Sequence, residues 1–313
     1  MKYLLLFFLF FLVLIQNACQ HDTKRDDVEI ETLLDNATNV NLSAKKRVAF
    51  SIDAFEILRN DKINDSLTRT RLLTIANNLF KLKEYRSFKN VTWNIKNLAL
   101  SAKDSNHLAM AYRYLGGFYL EENVFDSSYY YYLKSIKIYT RQNNSYGLMR
   151  GYYKLAVLQS DNYDNWDAQL SIVTSYKYAK KECDVPSQIR CLIMLAMMLN
   201  DLGDYEKAIE TNQEALKLIE GINDTLLYRE SCINNLGAVY QNLNKHNKAI
   251  FYFKMALKNT KVQLEYPQLY ATILSNIAYS ELKLNQLRDV KAKLLTALSI
   301  RLIENEPNEI VAS

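Results

Sequence analysis

Ile233-Asn-Asn-Leu-Gly-Ala-Val-Tyr240, followed by Ala249-x-x-x-Phe253-x-x-Ala256, decides how this chain folds. Counting from Glu230 as position 1, Leu236 stands at 7, Gly237 at 8, Tyr240 at 11, Ala249 at 20, Phe253 at 24 and Ala256 at 27. Offsets of three and four fall on one side of a helix with 3.6 residues per turn, so each segment reads as a helix with one crowded face. The small residues Gly237, Ala249 and Ala256 let two such helices approach closely. Leu236, Tyr240 and Phe253 fill the space between that pair and its neighbour. One helix pair cannot bury such a face alone, so the reading requires that the unit recur.

It recurs. A unit starting at Ile189 places Leu192, Leu195, Ala196 and Leu199 at positions 4, 7, 8 and 11, with Ala208 and Ala215 at 20 and 27. One starting at Ala271 has Leu274, Ile277 and Ala278, then Val290, Leu294 and Ala297. Upstream, a start at Ala109 gives Tyr112, Leu115, Gly116, Tyr119, Ser128, Tyr132 and Ser135, and a start at Arg69 gives Leu72, Ile75, Ala76, Leu79 and Phe88. A start at Met149 gives Tyr152, Leu155, Ala156 and Ala168. There the polar run from Ser160 to Asn165 predicts a longer turn, with the second helix slipped by four residues. Ahead of these, residues 33–59 form a degenerate unit with Val48, Ile52 and Phe55 on one face. Starts at 69, 109, 149, 189, 230 and 271 are 40 or 41 residues apart. That constancy keeps every apolar stripe facing the same way.

Position 15 falls where paired helices turn, and Gly203, Asn244, Asn285 and Asn123 occupy it in four of the six units. Gly and Asn accept the left-handed conformation that closes a helix. Asp204 is then expected to cap the second helix of its unit. Asn64-Asp65, Asp104-Ser105 and Asn223-Asp224 are expected to cap the junctions between units, and Pro186 to open a helix. Tyr129-Tyr-Tyr-Tyr132 has strand-forming residue types but sits in a helical apolar pattern over residues 124–139, so it reads as helix.

Seven Gly and three Pro in 313 residues, with no Gly-rich loop, argue for long helices and against an α/β nucleotide-binding domain. The net charge of +5, or +4 without the single cation Lys2 of residues 1–18, is too small to imply nucleic acid. Lysines such as Lys207, Lys217, Lys245, Lys248, Lys254 and Lys258 fall on outward helix faces. His21, His107 and His246 are isolated, no Cys-x-x-Cys occurs, and no nucleophile motif is present, so neither a metal site nor a catalytic centre is expected, and no cofactor. Cys191 and Cys232 share position 3, which predicts packing. A Cys183–Cys191 disulfide is sterically conceivable across the intervening turn.

The first residues are of another kind. Leu4 to Ile15 is an apolar run of about 18 Å as a helix, short of the roughly 30 Å hydrocarbon core, and reads as the centre of a secretory signal. Ala18-Cys19 directly after it resembles a bacterial lipoprotein cleavage site, although Gln16 stands where Leu is usual. This implies a signal over residues 1–18, lipidation of Cys19 and a charged tether over residues 19–27. It places the chain at the cell envelope, as an outer-membrane lipoprotein or in the periplasm. Cleavage after Ala18 without lipidation and an uncleaved leader are the alternatives.

The unit itself resembles the tetratricopeptide repeat, whose pattern is L-G-x-x-Y followed by A-x-x-x-F-x-x-A. The resemblance implies an all-α, right-handed superhelical solenoid of antiparallel helix pairs over residues 28–306, then a tail over 307–313. Each unit is about two helical turns longer than the family's usual one of about 34 residues. In that family, positions 2, 5, 9, 12 and 13 face a concave groove that holds a protein or peptide. Carried over, these positions give Arg113, Arg150, Tyr153, Arg190, Asn234, Gln241 and Tyr279 as candidate ligand-binding residues. The family's Lys/Asn carboxylate clamp is not matched here. The implied function is a non-enzymatic binding scaffold whose only membrane contact is the lipid anchor. The alternative is the sensor arm of a histidine kinase or helix-turn-helix type system whose output domain is missing or on a separate chain.

Overall fold

The structure, a computed structural model, describes residues 27–305 except 62, 163, 224 and 225. The signal, Cys19 and residues 306–313 lie outside the described residues, as does Asp224, one of the expected caps. Among the described residues every regular element is a helix. The chain divides into two compact units, residues 1–143 and 144–313. The first holds α1 (27–38), α2 (Ala44–Asn60), α3 (Ser66–Lys81), α4 (Tyr85–Ser101), α5 (Ser105–Glu121) and α6 (Phe125–Arg141). The second begins with α7 (Ser145–Asp161), α8 (Asn165–Lys181), α9 (Val185–Asp201) and α10 (Tyr205–Ile219). It continues with α11 (Tyr228–Asn242), α12 (His246–Ala256), the short α13 (Lys261–Glu265), α14 (Pro267–Lys283) and α15 (Val290–Asn305). In each, consecutive helices pack as antiparallel pairs.

The 40-residue period resolves into two similar halves. Each helix from α4 to α9 has 17 residues, and their first residues, Tyr85, Ser105, Phe125, Ser145, Asn165 and Val185, are evenly spaced. Left-handed residues close the helices: Asn123 (φ 57°), Gly203 (81°), Asn244 (58°) and Asn285 (58°), as the sequence predicts. Asn143 (51°) does the same at a junction between repeats, and Lys83 (59°), Lys103 (54°) and Cys183 (54°) do so without an obvious sequence signal. The residue after most of these turns returns its N–H to a carbonyl five back, as in Asp104 to Ala99 at 2.8 Å and Lys245 to Tyr240 at 2.8 Å. This is the Schellman closure, which satisfies carbonyls that a helix end leaves open.

Three expectations need correction. The gap between α7 and α8 is the same as between α5 and α6, and Ala168, Ile172 and Ser175 are buried at positions 20, 24 and 27. There is no four-residue slip: the polar residues Ser160 and Asp161 belong to the last turn of α7. Asp204 stands at the N-cap of α10 as expected, but its side chain is held chiefly by a lysine rather than by a full capping hydrogen bond. It pairs with Lys207 Nζ at 2.6 Å, which holds its carboxyl below the usual range. Cys183, exposed, and Cys191, buried, are free thiols. Other caps form as expected: Asp65 accepts from Thr68 N, and Asp104 accepts from Asn106 N and His107 N. Asp184 accepts from Ser187 N, beside Pro186.

Position 8 and position 24 interlock. A Cβ on Gly116 would lie 2.6 Å from Tyr132 Cδ1, and one on Gly237 would lie 2.5 Å from Phe253 Cε1. Both rings are fully buried. Where position 8 is Ala (Ala76, Ala156, Ala196, Ala278), position 24 carries Thr92, Ile172, Asn212 or Leu294 instead. Glycine thus appears where an aromatic ring occupies the room that its methyl group would need. Cys191 and Cys232 are buried at position 3, in the packing role that their spacing predicts.

Candidate binding groove

The first helices of the repeats, α3, α5, α7, α9, α11 and α14, carry the positions from which the sequence draws its ligand-binding residues. In the first unit these lie on α3 and α5. Arg113, at repeat position 5 on α5, is only 7 % exposed, and its Nε is sealed from solvent without a hydrogen-bond partner. Its guanidinium carbon lies 5.0 Å from the Tyr114 ring. Among the described residues no carboxylate stands within ion-pair distance of it.

Two neighbouring arginines supply the contrast. Arg69, 6 % exposed, reaches Asp104 Oδ2 at 3.0 Å and donates to Asn64. Arg71, 8 % exposed, pairs with Asp27 and Glu31, each at 2.7 Å. Burial alone would lower the Arg71 pKa, but its hydrogen bonds to these two acids raise it. A buried guanidinium costs several kcal/mol in desolvation unless an anion and hydrogen bonds offset it. Arg69 and Arg71 have that offset within the chain, and Arg113 does not.

Beside Arg113, one helical turn on, stands Gly117. A Cβ there would meet Tyr132 Oη at 3.7 Å and Phe80 at 3.8 Å, ordinary contact distances. Unlike Gly116, this glycine is not required by packing, yet it sits inside a helix where Gly is about 1 kcal/mol worse than Ala. The result is a side-chain-free position next to an unpaired buried cation.

The sequence treats His107 as isolated, but its Nδ1 lies 2.7 Å from Asp104 Oδ2 and its Nε2 lies 3.2 Å from Thr70 Oγ1. Burial opposes ionisation of Asp104, but the His107 N–H and ring and the Arg69 guanidinium hold its carboxyl below the usual range. The Thr70 hydroxyl donates to the Ser66 carbonyl at 2.9 Å, so the row is a positioning network at the helix start, not an activated nucleophile.

In the second unit, Arg150 is exposed, donates to Tyr146 Oη at 3.1 Å and lies 5.6 Å from that ring. Arg190 is exposed, donates to Ser187 Oγ at 2.7 Å and lies 5.8 Å from the Tyr153 ring. Burial pushes the Tyr153 phenol up in pKa while Arg190 opposes the rise. Neither arginine meets an acid among the described residues. Tyr279 is half-exposed, with His246 6.2 Å from its ring. The two amides differ. Gln241 donates to Asn276 O at 2.8 Å and Ser280 Oγ at 2.7 Å, and the buried Asn234 accepts from Asn276 at 3.5 Å. With Asn242 donating to Asn200 at 3.1 Å, they form a ladder between successive helix pairs, which sequence reasoning did not find because its partners lie 35 to 42 residues apart.

Among the described residues no group of His, Cys, Asp and Glu could hold a metal ion, and no helix is long and apolar enough to cross a membrane. A profile of the tetratricopeptide repeat matches residues 188–261. Residues 188–261 thus carry tetratricopeptide repeats. No curated protein matches it. Aspartyl phosphate phosphatase F from Bacillus subtilis superposes with a TM-score of 0.65 at 12 % identity, over 88 % of this chain and 68 % of that one. NprR in complex with its cognate peptide NprX gives 0.59 at 16 %, over 88 % and 83 %. A signal-transduction ATPase with a tetratricopeptide-repeat sensor, PH0952 from Pyrococcus horikoshii, gives 0.57 at 16 %, over 90 % and 50 %. At these identities the likeness is one of fold.

Proposed function

We propose that this tetratricopeptide-repeat chain is a non-enzymatic scaffold that holds a protein or peptide segment bearing carboxylates in its groove. The observation that carries the reading is Arg113: buried, unpaired, and one turn from Gly117, which carries no side chain and where a Cβ would meet only ordinary contacts. A ligand carboxylate would supply the anion that Asp104 supplies to Arg69, through the planar fork that a guanidinium offers. Arg150 and Arg190, each facing a tyrosine and no acid, extend the same chemistry to the second unit. A similarly folded protein, NprR, is seen with a peptide, which is compatible with this use of the fold.

The same proposal places the chain at the cell envelope, tethered by a lipid on Cys19. Mass spectrometry of the mature N-terminus tests it: an intact Met1 or an unmodified Cys19 would remove the anchor. The binding claim is tested by pull-down from envelope extract with the native chain and with the Arg150→Glu, Arg190→Glu double variant. Equal recovery of the same proteins would refute a role for these arginines. A second reading, a sensor arm whose output lies elsewhere, is supported by the sensor of similar fold in PH0952. Co-purification of an output protein only when the ligand is present would favour it over a static scaffold.

A further inference from the structure

Charge is unevenly spread over the second helices of the repeats. In the first unit, α4 carries Arg86, Lys89 and Lys96 and no acid, and α6 carries Lys134, Lys137 and Arg141 against Asp126. The corresponding helix α10 has Glu206, Glu210 and Glu214 against Lys207 and Lys217. Among the described residues none of the cations of α4 and α6 stands within ion-pair distance of a carboxylate. At about 100° per residue, Arg86, Lys89, Lys96 and Leu100 fall within about 60° of Trp93 round α4. By the same count Leu133, Lys134, Lys137 and Arg141 fall within about 60° of Tyr130 round α6. Tyr130, Leu100 and Leu133 are 53 %, 48 % and 40 % exposed. Between the two helices Tyr131 stacks on Tyr119 of α5 with centroids 5.4 Å apart, and meets Trp93 edge-on at 6.5 Å. Lysines lie over the other rings: Lys96 Nζ is 3.8 Å from the Trp93 centroid, Lys89 4.9 Å from Phe118 and Lys134 5.1 Å from Tyr130. The acids of this region collect at one end. Glu84, Glu121, Glu122 and Asp126 lie where α4 and α6 begin and α5 ends, and Glu121 accepts from Tyr85 Oη at 2.8 Å. At the other end Asp104, between α4 and α5, is taken up by Arg69 and His107.

We propose that the basic end of this face, formed by Lys96, Leu100, Tyr130, Leu133, Lys134 and Lys137, docks on an anionic phospholipid surface. Tyrosine, tryptophan and leucine ringed by lysines make up a surface suited to the headgroup boundary. There the apolar parts enter the interface while the long lysine stems carry their ammonium groups to the phosphates. A single-stranded nucleic acid fits less well, because its bases need ring faces to stack on and these rings are occupied by lysines or by one another. The choice of a bilayer over an acidic protein rests on the lipid at Cys19. The segment from Cys19 to Asp27 can span at most about 28 Å, so the anchor holds the first unit beside the bilayer at high effective concentration. The face thus adds a second membrane contact to the anchor that the sequence implies.

In the purified chain with Trp166→Phe, Trp93 is the only tryptophan. On vesicles containing phosphatidylglycerol its emission should be quenched by a phospholipid spin-labelled near the headgroup, and far less on phosphatidylcholine alone. Lys134→Gln with Lys137→Gln should weaken this docking about fivefold per lysine with unchanged circular dichroism, while Lys134→Arg with Lys137→Arg should preserve it. Lys217→Gln with Lys254→Gln, exposed lysines of α10 and α12, should leave it unchanged. Flotation on phosphatidylcholine vesicles reports the anchor separately. A chain without the lipid stays in solution there, yet should still show Trp93 quenching on phosphatidylglycerol vesicles at higher lipid concentration. Absence of quenching on anionic vesicles, equal quenching on neutral ones, or a Trp93 response to single-stranded DNA or polyglutamate but not to vesicles overturns the proposal.

Discussion

Replacing Arg113 by Met, and separately Arg69 by Met, should move stability in opposite directions. Arg69 is bonded to Asp104, and removing one partner of a buried pair costs about 3–5 kcal/mol, because the other charge is left behind. His107 and the backbone N–H groups still hold Asp104, so the expected loss is at the lower end, about 3 kcal/mol. Arg113 has no acid to strand. Its removal deletes an uncompensated buried charge and adds apolar contact, against the loss of its contact with Tyr114, worth about 1–2 kcal/mol. The net expectation is neutral to about 1 kcal/mol more stable, so the two variants should differ by about 3–4 kcal/mol. Urea unfolding followed by Trp93 fluorescence, in a Trp166→Phe background that removes the other tryptophan, reads the first unit locally, since Trp93 lies against Tyr131 in that unit. An Arg113→Met variant that loses about as much stability as Arg69→Met would show that the guanidinium is structural, and the groove reading would fail.

Other outcomes follow from the same geometry. Gly237→Ala should cost about 1–2 kcal/mol despite the better helix propensity of Ala, because the methyl group meets a buried ring. Adding Phe253→Ile should recover much of that loss, as the Ala156/Ile172 pairing does naturally; a stabilising Gly237→Ala would refute the interlock. Gly117→Ala should instead stabilise the free chain by about 0.5–1 kcal/mol, while Gly117→Met should block ligand binding. Asp104→Asn should flatten the acid limb of the stability curve. The lowered Asp104 pKa contributes stability above the ordinary carboxylate value of 3.8, lost as pH falls through the lower folded value. Burial pushes the Cys191 thiol up to about 11, so Cys183 should be alkylated before Cys191 and Cys232 in the native chain, with mass spectrometry assigning the sites.

The scaffold was legible because it is written locally. Leucine, glycine and alanine at fixed offsets mark the helix faces, and Gly203, Asn123, Asn244 and Asn285 mark the turns. Lys83, Lys103 and Cys183 turn the chain as well, but there the even helix spacing imposes the left-handed residue and the side chain gives no sign of it. The apparent slip in the third repeat came from reading Ser160 and Asp161 as a turn, although a helix can end on polar residues. The groove was harder to read. Position number identified Arg113, but only the missing acid distinguishes it from the equally buried Arg69, which looks the same in sequence. Gln241 and Asn234 occupy groove positions and yet spend their amides on the neighbouring helix pair, an outcome set by partners 35 to 42 residues away.

Selection of random peptides on the immobilised chain tests the central claim most directly, because it presumes no ligand. The account predicts that enriched sequences carry Asp, Glu or a required free C-terminus, and that Arg113→Gln weakens their binding at least about tenfold with unchanged circular dichroism. Enrichment of peptides without an essential carboxylate, or undiminished binding by Arg113→Gln, would contradict it.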